Sequence, residues 1–189
     1  MTSDEITIHR GLTGVYFDRS ETTFIDGKEG VLEYRGYNIN DLAEHSTFEE
    51  TGYLLIHGKL PTQAELNEFD AELKAARELP EQIFDVIDLV KDSHPMDALR
   101  TAVSALASFD EDRNDNSAEA TIRKGNRLTS QVPAIVMAHH NIRQGKDPIK
   151  PSTTLNHAGN FLYMLNGDEP SADAAELMDK DFVLHADHG

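Results

Sequence analysis

Cysteine is absent from the 189 residues. Without a thiol there is no disulfide, no zinc–thiolate site, no iron–sulfur cluster and no cysteine nucleophile. Tryptophan is absent as well, and aromatic residues make up only 7%. Basic residues are scarce: 17 Lys and Arg stand against 34 Asp and Glu, a formal charge of -17. Such a chain repels nucleic acid and anionic membranes because it cannot neutralise phosphates, so neither is expected as a partner. No apolar run reaches the roughly 18 residues that a membrane span needs. Met1–Glu5 has no basic stretch leading into an apolar one, so no secretory signal is expected and a cytoplasmic location is. There is no G-x-G-x-x-G or G-x-x-x-x-G-K phosphate loop and no G-x-S-x-G nucleophile elbow.

What remains is enough for one domain, or most of one. A chain of this length buries roughly 70% of its unfolded surface and needs no covalent staples. The acidic excess is spread along the chain rather than gathered in a tail. It fits an ordinary acidic protein kept soluble by its charge. It also fits a protein adapted to molar salt, where screening over about 3 Å makes self-repulsion tolerable. With 18 Asp against 16 Glu and only 8 Lys, the salt-adapted reading is preferred.

The pattern predicts an all-α chain with a small β element at its start. Thr22–Ile25 and Val31–Tyr34 flank Asp26-Gly27 and Gly30, the signature of a hairpin. Ile39–Leu42 reads as a helical turn capped by Asn40. Thr47 caps a helix running to His57 and stopped by Gly58. Thr62 and Glu65 form a capping box behind Pro61, and Leu66, Phe69, Leu73 and Ala76 follow at helical spacing. Pro80 and Pro95 open two further helices. Ser117 caps a long segment, Ala118–Gln144, which Pro133 is expected to kink or split. Ser152 or Thr153 is expected to cap a helix ending at Gly167, and Ser171 one running towards Leu184.

One cluster suggests chemistry. If the last helix continued, Asp181, His185 and His188 would share one face at i, i+4 and i+7. Two imidazoles and a carboxylate suit a divalent metal, a helix cap or a substrate anion, and the spacing alone does not choose among them. The adjacent His139 and His140 point about 100° apart on a helix and cannot form one site. Arg35 reads as a salt-bridge residue, and Asp26-Gly27 as turn chemistry.

Five ordered blocks carry a family resemblance. Ile25-Asp26-Gly27-Lys28-Glu29-Gly30-Val31-Leu32-Glu33-Tyr34-Arg35-Gly36-Tyr37 resembles the N-terminal signature of citrate synthases of the short archaeal and bacterial type. Thr47–Glu50, Tyr53–Leu55 and Gly58–Thr62 continue it. His94–Thr101 and Asn160–Leu165 are similar to two further blocks, and Leu184–His188 resembles the family's H-x-D-H segment. The resemblance implies the N-terminal part of the helical large domain, residues 1–189, with a small N-terminal hairpin. It also implies a reaction: acetyl-CoA condenses with oxaloacetate, and hydrolysis of the thioester gives citrate and CoA. By the same resemblance, the second His of the segment, His188, contacts oxaloacetate. No cofactor is implied, since acetyl-CoA is a substrate, and no metal.

The catalytic His, His and Asp of the family, its CoA site and its small domain all lie beyond Gly189. The chain is therefore expected to be an incomplete sequence, inactive by itself. The acidic composition points to a halophilic archaeon. Alternatives are a 2-methylcitrate synthase using propionyl-CoA and a non-catalytic helical binding protein. The family assembles as homodimers, and Val132, Ile135, Val136, Ala158, Leu162 and Leu165 are the expected interface positions.

Overall fold

The computed structural model describes residues 8–16 and 18–187. After a short 3-10 turn at Arg10–Leu12 comes a three-stranded antiparallel sheet: β1 (Thr23–Asp26), β2 (Val31–Tyr34) and β3 (Tyr37–Asn38), in that order. The expected hairpin is β1–β2. Its turn is set by Asp26, whose Oδ1 accepts from the backbone N–H of Lys28 (2.9 Å) and Glu29 (3.2 Å). The third strand was not anticipated. Tyr34 pairs with Tyr37 across the two-residue turn Arg35-Gly36. Both turn residues have positive φ, 50° and 84°, as a tight hairpin of right-twisted strands requires. Gly36 adopts this freely. Arg35 is held there, its Nε and Nη2 donating to the Leu55 carbonyl at 3.3 and 2.9 Å. It thus ties the sheet to a helix end, while its approach to the exposed Glu21 is only 3.9 Å.

Among the described residues eight α-helices follow: α1 (Ile39–His45), α2 (Phe48–His57), α3 (Gln63–Ala75), α4 (Glu81–Leu89), α5 (Pro95–Leu106), α6 (Ala118–Arg143), α7 (His157–Asn166) and α8 (Ala172–Leu184). The capping boxes of α2 and α3 form as their sequences specify, Thr47 with Glu50 and Thr62 with Glu65. Ser117 and Ser171 cap α6 and α8. No helix among the described residues is long and apolar enough to cross a membrane.

Three local expectations are corrected. The cap of α1 is Asn38, not Asn40: β3 ends at Asn38, whose side chain accepts from Asn40 N–H at 2.9 Å. The cap of α7 is Asn156, not Ser152 or Thr153. Ser152 Oγ instead closes a turn by accepting from Thr154 and Leu155 N–H, both at 3.2 Å. The carbonyls of Ser152 and Leu155 accept from Arg77 Nη1 at 2.7 and 2.9 Å, which ties this turn to the segment after α3. Finally, Pro133 does not split α6. Its neighbours Ala134 and Ile135 are buried, and packing on both sides outweighs one missing backbone hydrogen bond.

The core runs through the helices in linked clusters. Ile83 and Ile87 of α4, Ala102 and Leu106 of α5, and Ile135 and Ala138 of α6 form one. Ala134 and Met137 of α6 join Met164 of α7 in another. Near the sheet, Tyr34, Ile39, Leu42, Leu54 and Val183 pack together. This last cluster fixes the end of α8 against β2, and with it the start of the H-x-D-H segment.

Candidate functional site

The site is built around the C-terminal end of α8. The helix stops at Leu184, and His185 is its C-cap. Asp181 lies in the last turn of α8, and His185 follows it as the cap rather than as a helical residue. His185 folds back on its own helix: its Nδ1 lies 2.8 Å from the Asp181 carbonyl and 3.6 Å from Asp181 Oδ1. That contact holds the ring against its own helix through Nδ1. Among the described residues no group of three or more metal-ligating side chains comes together. His188 lies outside the described residues.

The turn after α8 is seated on the sheet. Tyr34 is fully buried, its ring in the cluster with Leu54 and Val183. Its hydroxyl donates to the Leu184 carbonyl at 3.1 Å and lies 3.4 Å from the Asp187 N–H, which donates to it. Thr23 Oγ1 donates to Asp187 Oδ2. Two strands therefore grip the residues on either side of His185-Ala186, directly before His188. Tyr34 and Asp187 lie in blocks that carry the family resemblance and Thr23 in the predicted hairpin, but nothing in the sequence signalled that the three meet.

Behind this turn lies a buried polar junction of α2, α7 and α8. Asp179 of α8 accepts from the Phe48 N–H at the start of α2, at 3.3 Å on Oδ1 and 3.2 Å on Oδ2. Glu49 of α2 in turn accepts from the His157 N–H at the start of α7, at 2.8 Å. The positive ends of α2 and α7 are thus each met by a carboxylate from a neighbouring helix. Burial, with the Glu49 and Glu50 charges nearby, pushes the Asp179 carboxyl up to about 6 despite the Phe48 N–H. Burial first, and the Arg77 charge second, pull the His157 imidazole down to about 4. His157 stacks on Phe48 with ring centroids 4.4 Å apart. Arg77 is 2% exposed, and burial depresses its pKa.

The other candidates resolve into structural parts. His139 is buried and its Nε2 meets the Lys91 carbonyl at 3.2 Å, whereas His140 Nε2 meets Gln144 Nε2 at 2.8 Å, so the two rings serve different neighbours. Ile135 and Ala158, expected at a subunit interface, are buried within the chain's own core.

Comparison with known proteins converges on one family. A family model described as "Citrate synthase, C-terminal domain" matches residues 11–189. The citrate synthase of Deinococcus radiodurans is 48% identical over 183 residues, covering 96% of this chain and 48% of that protein. That of Haloferax volcanii is 46% identical, covering 96% of this chain and 49% of the relative. A crystal structure of citrate synthase from Pyrobaculum aerophilum superimposes with a TM-score of 0.90 at 38% identity, over 96% of this chain and 47% of that one. The chain spans about half the length of the curated relatives it matches.

Proposed function

Because the chain belongs to the citrate synthase family, we propose that it supplies the oxaloacetate-binding part of a citrate synthase, as the N-terminal portion of the large domain of a longer enzyme. The reaction is condensation of acetyl-CoA with oxaloacetate, followed by hydrolysis to citrate and CoA. The observation that carries this reading is the seating of the Leu184–Asp187 turn on the sheet by Tyr34 and Thr23. It fixes the backbone immediately before His188. An imidazole at position 188 would supply a hydrogen-bond donor to the oxaloacetate carbonyl, where negative charge develops as the acetyl carbon attacks. The groups that move the acetyl proton and clamp the substrate carboxylates belong to the rest of the enzyme, so the 189-residue chain alone should form no citrate.

The same reading includes a homodimer, a cytoplasmic location and a salt-adapted source. The charge of -17 and the 46% identity to the Haloferax volcanii relative support the last. The 2-methylcitrate alternative draws on a Bacillus subtilis relative named citrate/2-methylcitrate synthase, 34% identical. The relatives named citrate synthase at 48% and 46% identity favour acetyl-CoA. Assay of the full-length enzyme with acetyl-CoA and with propionyl-CoA tests this: faster product formation from acetyl-CoA is expected, and a preference for propionyl-CoA would replace the reading by its alternative.

A further inference from the structure

We infer that Tyr34, with Thr23, is a positioning residue for the oxaloacetate-binding His188, acting through the backbone of Leu184–Asp187. The inference rests on the function proposed above. A tyrosine buried for packing alone has no need of its hydroxyl, and phenylalanine would fill the same space. Here the hydroxyl has two partners on one short segment, the Leu184 carbonyl at 3.1 Å and the Asp187 N–H at 3.4 Å. They bracket the point where α8 ends and the chain must change direction. Donating to one and accepting from the other, the hydroxyl fixes the separation of the two backbone groups. The ring gives it a rigid base, since Tyr34 is fully buried among Ile39, Leu42, Leu54 and Val183.

The second contact is independent of the first. Thr23 pairs across the sheet with Tyr34, and its hydroxyl donates to the Asp187 carboxylate. The peptide unit and the side chain of Asp187 are therefore both held by one pair of cross-strand neighbours. Residue 188 is covalently next. The left-handed turn at Arg35-Gly36, anchored on the Leu55 carbonyl, completes the support by locking β2 to β3 and α2. On this view the sheet, which the chemistry does not touch, sets the aim of the substrate-binding histidine. Placement errors near an ångström are enough to weaken a site of this kind.

The test uses Tyr34→Phe and Thr23→Val in the full-length enzyme. Tyr34→Phe keeps the ring and removes both hydroxyl contacts. Thr23→Val keeps the shape of a half-buried strand residue and removes the other. Each should raise KM for oxaloacetate by about three- to tenfold, the size of one or two modest hydrogen bonds, leaving KM for acetyl-CoA unchanged. In the 189-residue chain, amide exchange at Asp187 should quicken in both variants while the α5 and α6 amides stay protected. Unchanged oxaloacetate KM in Thr23→Val, or equal changes for both substrates in either variant, would overturn the inference. If Tyr34→Phe fails to fold, Thr23→Val decides alone. A parent enzyme that makes no citrate would overturn the proposed function itself, whereas an active parent with kinetically silent variants would overturn only the positioning role.

Discussion

Asp179 and His157 both lie against Phe48, and burial drives their proton affinities in opposite directions. The Asp179 carboxyl is raised from an ordinary value near 3.8 to about 6. The folded state therefore binds more protons than the unfolded one between those values, and this residue's contribution to stability falls as pH rises through that window. His157 is lowered from 6.5 to about 4. The unfolded state binds more protons there, so its contribution is present above pH 6.5 and is lost as pH falls towards 4. Each effect is about 3 kcal/mol at about 1.4 kcal/mol per factor of ten in proton affinity, and between pH 4 and 6 they largely cancel. The pair together should therefore add little net pH dependence to chemical denaturation of the parent chain over that range. In Asp179→Asn, stability should climb from pH 4 to 6.5, and in His157→Gln it should fall from pH 4 to 6. Parallel profiles for the two variants would refute the assignment. Nothing in the sequence marked this pair: both sit at helical positions where only three-dimensional packing decides which side chains lose water.

Among the elements, the corrected start of α7 gives the clearest check. Asn156 Oδ1 accepts from the Gly159 N–H at 2.8 Å. Asn156→Ala should destabilise the chain by about 1 kcal/mol, the usual cost of a lost N-cap, while Thr153→Ala should be nearly neutral. A Cβ on Gly159 would come within 2.8 Å of the same Oδ1, so Gly159→Ala should also weaken the cap. Thermal melts of the three variants rank them, and an Asn156→Ala as silent as Thr153→Ala would place the cap elsewhere. The helix starts that were legible in the sequence, at Thr47, Thr62, Ser117 and Ser171, have caps that act on their own next turn. The misread ones depend on distant partners. Arg77, from the segment after α3, donates to the carbonyls of Ser152 and Leu155, and β3 pairs with β2 to move the start of α1. The unsplit course of α6 past Pro133 rests likewise on packing against other helices, α4, α5 and α7. The H-x-D-H segment was legible by resemblance. Its seating on Tyr34 was not, because 150 residues of chain separate the hydroxyl from the Leu184 carbonyl.

At the scale of the whole molecule, charge and assembly dominate. With -17 on 189 residues, self-repulsion opposes the compact state at low ionic strength. The thermal midpoint should rise from about 0.1 M salt, where screening acts over about 10 Å, towards molar salt, and a flat or falling midpoint would remove the salt-adapted reading. Ion pairs such as Arg127 with Asp110 and Asp112, both at 2.8 Å, will weaken over the same range, so the rise reflects the net excess of acid. On the proposed homodimer, Leu162→Glu should yield monomers of the full-length enzyme by light scattering, and a dimer that survives it would remove α7 from the interface. Ala158→Asp should instead unfold the chain, since Ala158 is fully buried within it. The most direct test of the proposed function is the oxaloacetate dependence of His188→Ala in the full-length enzyme. A hydrogen bond to a charged substrate contributes roughly 1.5–3 kcal/mol, so kcat/KM for oxaloacetate should fall by about one to two decades, with His185→Ala, whose ring caps α8, losing less. Equal losses from the two variants, or none from His188→Ala, would contradict the assignment of oxaloacetate binding to this segment.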